Sequence, residues 1–173
     1  MNGKSEYYEI QRFNQPFIWV LLGCSVAGMI VFNVIMFYRQ IIQGELVGDT
    51  PIPNEGLLLY IFFSTILMIL IVLLFLKARL EIRVTKYGIH YRYFPLIRNW
   101  KYIDRDHITK WEVKKYFALG YGLRFGFRFL TIRIRGNFGL ELTLANKPNI
   151  RLGTQRPEEL RKAMEKLINR REE

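Results

Sequence analysis

The stretch Leu57–Tyr93 reads LLLYIFFSTILMILIVLLFL and then KARLEIRVTKYGIHYRY, and its character changes at Lys77. Up to Leu76 the residues are continuously apolar, 20 in a row, and at about 1.5 Å rise per residue that length covers the roughly 30 Å hydrocarbon core of a bilayer. After Lys77 the apolar period becomes two. Leu80, Ile82 and Val84 alternate with Glu81, Arg83 and Thr85, and Ile89, Tyr91 and Tyr93 alternate with His90 and Arg92. Alternation of this kind marks half-buried strands, and Lys86–Gly88 marks the turn between them. A span therefore runs directly into a β-hairpin.

Upstream, Phe17 to Tyr38 is a second run of 22 residues without an ionisable acid or base. Buried helices of soluble domains normally keep a polar stripe, and neither run has one, so both are read as transmembrane. The first is too long for a signal-peptide core, and no small-residue cleavage pattern follows it. The expected organisation is an N-terminal segment 1–16, helix 1 over 17–38, a loop over 39–56, helix 2 over 57–77 and a domain over 78–173. Lys4 and Arg12 precede the first span, and Lys77, Arg79, Arg83 and Lys86 follow the second, whereas the loop holds Glu45, Asp49 and Glu55 against one Arg. The positive-inside rule then puts both termini in the cytoplasm. Within the spans, Gly23, Gly28 and Asn33 are expected where the helices pack, because small residues permit close approach. Transport would call for intramembrane ionisable groups, and there are none.

Charge is divided in the same way. The chain carries 26 Lys plus Arg against 15 Asp plus Glu, a formal +11. Residues 1–76 hold 3 basic and 5 acidic side chains, and residues 77–173 hold 23 and 10. One cysteine, Cys24, excludes a disulfide framework or a cysteine zinc cluster, and two histidines argue against a multi-His metal site.

Beyond the first hairpin, Trp100 and Tyr102 mark a third strand and Ile108–Tyr116 a fourth. Leu130, Ile132 and Ile134 followed by Leu140, Leu142 and Leu144 form the clearest pair. Keeping both apolar sets on one face puts Ile134 opposite Leu140 and Ile132 opposite Leu142, with Arg133 facing Glu141 on the other side and Gly136–Phe138 as the loop. Ile150 and Leu152 make a last short strand. Pro157 suits a helix start, and Leu160, Ala163, Met164, Leu167 and Ile168 build one apolar stripe. About seven strands and one amphipathic helix suggest a bent sheet or split barrel that the helix closes.

The order KYGIHYRYFPL, Trp100 with an acidic turn, DHITKWEV, GYGLRF, IRGNFGLELTL and NIRLGTQRPEEL resembles bacterial membrane proteins with a PH-like domain. The resemblance covers residues 78–171. It implies an α+β membrane protein: a two-helix transmembrane hairpin in the bacterial inner membrane, followed by a seven-stranded antiparallel PH-like split barrel with a C-terminal helical cap. It implies a binding role rather than a chemistry. The turn between the first two strands offers only Lys86, with Arg83 and Arg92 behind it, which is too little for a dedicated phosphoinositide pocket.

Candidate sites follow from composition. Lys77, Arg79, Arg83 and Lys86 lie near the span end and are expected to meet anionic headgroups. Tyr116, Phe117, Leu119, Tyr121, Leu123 and Arg124 form an aromatic loop that either packs into the core or contacts protein or membrane. Gly120, Gly122 and Gly126 do not make a phosphate loop, since a strand rather than a helix follows. His90, His107, Asp104 and Asp106 assemble no nucleophile–base pair or metal set, so neither catalysis nor a cofactor is expected. Tethering to a membrane argues against nucleic acid. The expected function is a membrane-anchored binding or scaffolding module acting on lipid, a membrane protein or a second copy of itself. The alternative is an accessory subunit of a transporter or membrane enzyme.

Overall fold

The computed structural model describes residues 5–45, 52–116, 122–125, 129–134, 136–145 and 148–169. It is an α+β chain in two compact units, Asn14–Leu76 and the discontinuous Met1–Phe13 with Lys77–Glu173.

The first unit is a helical pair. Helix α1 spans Pro16–Phe37 and runs on through a π-helical turn, Tyr38–Ile42; α2 spans Asn54–Lys77. Both are long and apolar enough to cross a membrane. Along α1 and its π-helical turn, Ile18, Trp19, Leu22, Val26, Met29, Asn33, Met36 and Gln40 are less exposed than their neighbours, and from Leu22 onward one seam is regular. Its residues are spaced four and three apart, the repeat of a left-handed helix seam. On α2 the matching residues are Leu57, Ile61, Ser64 and Met68. Asn33 Nδ2 donates to Ser64 Oγ at 3.2 Å, and Gln40 Nε2 donates to Ile52 O at 2.7 Å and to Asn54 Oδ1 at 3.1 Å. Gly23 and Gly28, expected in the contact, lie on the exposed side, where no atom comes within 4 Å of the position a Cβ would take. Side chains of intermediate size fill the seam, so close backbone approach is not what joins the helices.

The second unit holds nine described strands in two sheets. Strands β1 (Tyr7–Arg12), β2 (Arg79–Val84), β3 (Gly88–Phe94) and β4 (Ile97–Asp104) form an antiparallel sheet in that order. Strands β5 (Ile108–Lys115), β6 (Gly122–Phe125), β7 (Phe129–Arg133), β8 (Phe138–Leu144) and β9 (Asn149–Thr154) form a second, ordered β5-β8-β9-β7-β6. The sheets stay separate, so the barrel is not closed. Helix α3 (Pro157–Asn169) touches β1 and β2 of one sheet and β5 and β8 of the other. Its Leu160, Met164 and Leu167 are fully buried, each contributing about 2 kcal/mol over an exposed side chain.

In place of about seven antiparallel strands in one split barrel there are nine described strands in two sheets, with β7 and β9 parallel, and two further expectations change. The segment 1–16, given no strand from sequence, supplies β1, whose residues alternate buried and exposed. The second change is a pairing. Strands β7 and β8 do not pair, because β9 lies between them, parallel to β7 and antiparallel to β8. Leu140 faces Leu152 and Leu142 faces Ile150, which keeps the apolar sets on one face as well as the expected hairpin would. Instead of crossing to Glu141, Arg133 turns back and donates through Nε to Gly136 O at 2.8 Å. At Gly136 the φ is +90°, and a Cβ there would stand 2.8 Å from Thr154 O, so the turn requires glycine.

β1 is held from the inside by polar groups. Glu9, 4% exposed, accepts from Thr154 Oγ1 at 2.8 Å, from Gln155 N at 2.8 Å and from Tyr7 Oη. Gln11 Nε2 donates to Gly153 O at 2.6 Å. Burial, and next the bond to Glu9, push the Tyr7 phenol well above its ordinary range. Removing the carboxylate takes the acceptor from three donors, and although Tyr7 Oη and Thr154 Oγ1, 3.1 Å apart, can still bond each other, Glu9→Ala is expected to cost about 2 kcal/mol, read as a lowered midpoint in denaturant unfolding of the full chain. Glu9→Gln, which keeps acceptor capacity, should lose less.

Candidate functional site

Alternation divides the four-stranded sheet into an inner face, apolar on β2 and β3 and polar on β1, and a cationic, aromatic outer one. Register places Tyr8, Arg83, His90 and Tyr102 in one row across the four strands, and Ile10, Glu81 and Arg92 in the next. Glu81, 1% exposed, is neutralised in place: Arg79 Nε lies 2.9 Å and Arg92 Nη2 2.8 Å from Oε1, and Tyr8 Oη donates to Oε2 at 3.1 Å.

Arg83 is arranged differently. Its guanidinium lies 5.1 Å from the Tyr8 ring centroid and 5.4 Å from that of Trp100, and Arg92 stacks on Trp100 at 4.6 Å. Among the described residues no carboxylate comes within ion-pair distance of Arg83, and the residue is exposed. Each ring contact is worth about 0.5–1 kcal/mol at an exposed site, and the two together hold the guanidinium plane while its N–H edges stay available. That geometry suits bidentate recognition of a carboxylate or phosphate.

His90 completes the row, its ring 4.7 Å from that of Tyr102. Nδ1 is buried without a hydrogen-bond partner. Burial, and after it the charge of Arg83, hold the imidazole pKa below its ordinary 6.5.

The outer face of the second sheet is self-neutralised. Glu141 accepts from Tyr116 Oη at 2.5 Å and pairs with Lys114 at 3.1 Å and Arg151 at 3.2 Å. Lys114 also reaches Glu112 at 3.1 Å, which relieves the direct opposition of Glu112 and Glu141 across β5 and β8. Burial pushes the Glu141 carboxyl up, but bonds from Tyr116, Lys114 and Arg151 outweigh it and leave the pKa low. Here Arg151 takes the place expected for Arg133.

The four cations expected at the membrane surface are thus separated. Lys77 ends α2. Arg79 pairs with Glu81 and lies over Phe94 at 5.4 Å, and Arg83 is clamped as described. Lys86 stacks on Tyr87 at 4.7 Å in the β2–β3 turn, at the far end of β2 from Arg79. Of the aromatic-loop residues, Tyr116 is engaged with Glu141. Leu123 and Arg124 belong to β6, and Phe117, Leu119 and Tyr121 lie outside the described residues. Tyr8 and Trp100 were absent from the sequence-derived site. Trp100 is legible in the sequence as a strand residue but not as a neighbour of Arg83, and Tyr8 is not legible, because no strand is expected over residues 1–16. Among the described residues no group of three or more His, Cys, Asp or Glu is placed to hold a metal.

The lowered His90 pKa makes a pH expectation. The unfolded chain takes up a proton near pH 6.5 while the folded His90 stays neutral, so this stability is complete above about pH 6.5 and is lost as pH falls toward the folded-state value. The melting temperature should therefore drop between pH 7.5 and 5.5, and the drop should be smaller in His90→Phe, followed by circular dichroism.

No protein-family model, curated protein or solved structure matches the chain.

Proposed function

We propose that this chain is a membrane-anchored PH-like binding and scaffolding module. In this reading α1 and α2 cross the bacterial inner membrane with both termini in the cytoplasm. The outer face of β1–β4 takes a carboxylate-bearing protein surface, a second copy of the chain included. The observation that carries the reading is Arg83, exposed, held between Tyr8 and Trp100 and without a carboxylate of its own among the described residues. Neutralised neighbours such as Glu81 fix the surroundings, and ordering the guanidinium beforehand reduces what binding must spend on it. Anchoring adds the rest, since confinement to a surface raises the effective concentration of partners and makes weak contacts sufficient. The reading includes no catalytic step. Its support for membrane insertion is the pair of apolar helices and the concentration of Lys and Arg after Lys77.

One observation favours the accessory-subunit alternative. Gly23 and Gly28 leave an open strip on α1 away from α2, which would admit a helix of another membrane protein.

Light scattering on the detergent-purified chain, with the detergent contribution subtracted, separates these readings. A defined oligomer whose association weakens about tenfold or more in Arg83→Met, the loss expected for one charge-assisted contact, supports the scaffold. A monomer at every concentration, together with no crosslinked protein from a photoreactive residue at Tyr102 in cells, overturns it. Loss of a co-purifying membrane partner on Gly28→Leu would support the subunit.

A further inference from the structure

Sheet register identifies the end of β1 and β2 from which the chain passes to the helices. β1 ends at Arg12, four residues before Pro16 opens α1, and β2 begins at Arg79, two residues after Lys77 closes α2. Arg12 pairs with Arg79, and Arg79 with Phe94. Both helices therefore join the sheet at one end of adjacent strands, and the turn that leaves Phe94 for β4 is at that same end. The opposite turn, with Lys86, is a full β2 strand away, roughly 20 Å at 3.3 Å per residue.

The near turn has an unusual composition for a β-turn. Turns ordinarily take Gly, Pro, Asn, Asp or Ser; Pro95 conforms, but Phe94, Leu96 and Ile97 around it are apolar. Leu96 is 57% exposed, so it supplies no core packing. At the same end of the sheet Arg98 follows the turn in β4 and Arg12 ends β1, two strands across from Phe94; both are exposed and, among the described residues, without an ion-pair partner. An apolar tip beside unpaired arginines matches a bilayer interface, with carbon entering the acyl boundary and guanidinium groups at the phosphates.

We infer that the Phe94–Ile97 turn is a membrane-interface contact, with Leu96 inserted and Arg12 and Arg98 on anionic phospholipid headgroups of the leaflet where both helices end. The inference rests on the membrane-spanning reading above. It shifts the lipid contact from Lys86 to a turn at the other end of the ladder, and it leaves the Arg83 face free for a protein.

Fluorescence quenching on the full chain in lipid nanodiscs tests it. Cys24, exposed on α1, carries an environment-sensitive probe as the span marker; in a Cys24→Ser background the probe is moved to Leu96→Cys or to Lys86→Cys. With phosphatidylglycerol present, the probe at 96 is expected to be quenched by spin-labelled acyl chains and shielded from aqueous iodide, and the probe at 86 to show the reverse. Arg12→Gln with Arg98→Gln should reduce the interfacial population at 96 by about fivefold per arginine removed. Pure phosphatidylcholine should reduce it similarly. Millimolar inorganic phosphate should leave it unchanged; release by phosphate would overturn the lipid assignment in favour of a free anion. Iodide access at 96 equal to that at 86, with Cys24 quenched by lipid, overturns this inference alone. A Cys24 probe that lipid does not quench overturns the membrane reading and the inference together.

Discussion

The two-sheet domain depends on the buried carboxylate of Glu9. A charge taken out of water is tolerated only where donors replace its hydration, and here the donors are Thr154 and Gln155, from the far end of the chain, together with Tyr7. The contact spans both sheets, since Glu9 lies in β1 of the first and Thr154 ends β9 of the second. Apolar burial beneath α3 supplies bulk stabilisation. The Glu9 cluster supplies direction, because its geometry can be satisfied in only one register of β1 on β2. One discontinuous domain results, with the two apolar helices set between its first and second strands.

That arrangement explains what the sequence disclosed and what it hid. β2 to β5 and α3 were legible because their inward residues are apolar and their outward ones charged. β1 carries the inverse code: Tyr7, Glu9 and Gln11 face inward, and Ile10 faces solvent. Hydrophobic alternation therefore points it the wrong way. The misassigned β7–β8 hairpin has another cause. Leu140 and Leu142 fit Ile150 and Leu152 as well as they fit Ile132 and Ile134, so alternation selects a face but not a neighbour. Short loops favour sequence neighbours, and a parallel strand inserted between them leaves no local mark.

Of the candidate site, charge was visible and context was not. Arg79, Arg83 and Arg151 look equivalent in the sequence, yet two are held by carboxylates and one by rings. The distinction comes from cross-strand neighbours such as Tyr8, Trp100 and Glu81, which are remote in sequence from the arginines they control or become adjacent only through the ladder. Net charge alone thus overstates the free positive surface, since much of it is spent within the two outer faces.

The discontinuous domain also has a history in time. Glu9 leaves the ribosome 145 residues before Thr154, on the order of ten seconds at usual elongation rates, and both apolar helices emerge in between. β1 has no sheet to join until β2 to β4 have emerged, the last of them ending at Asp104, and its buried carboxylate waits longer still for Thr154. A conventional strand with a hydrophobic inner face would be a sticky edge throughout the wait. Tyr7, Glu9 and Gln11 instead give the nascent segment a face that water accepts, so the polar interior that concealed this strand from pattern reading also suits it to being made long before its partners.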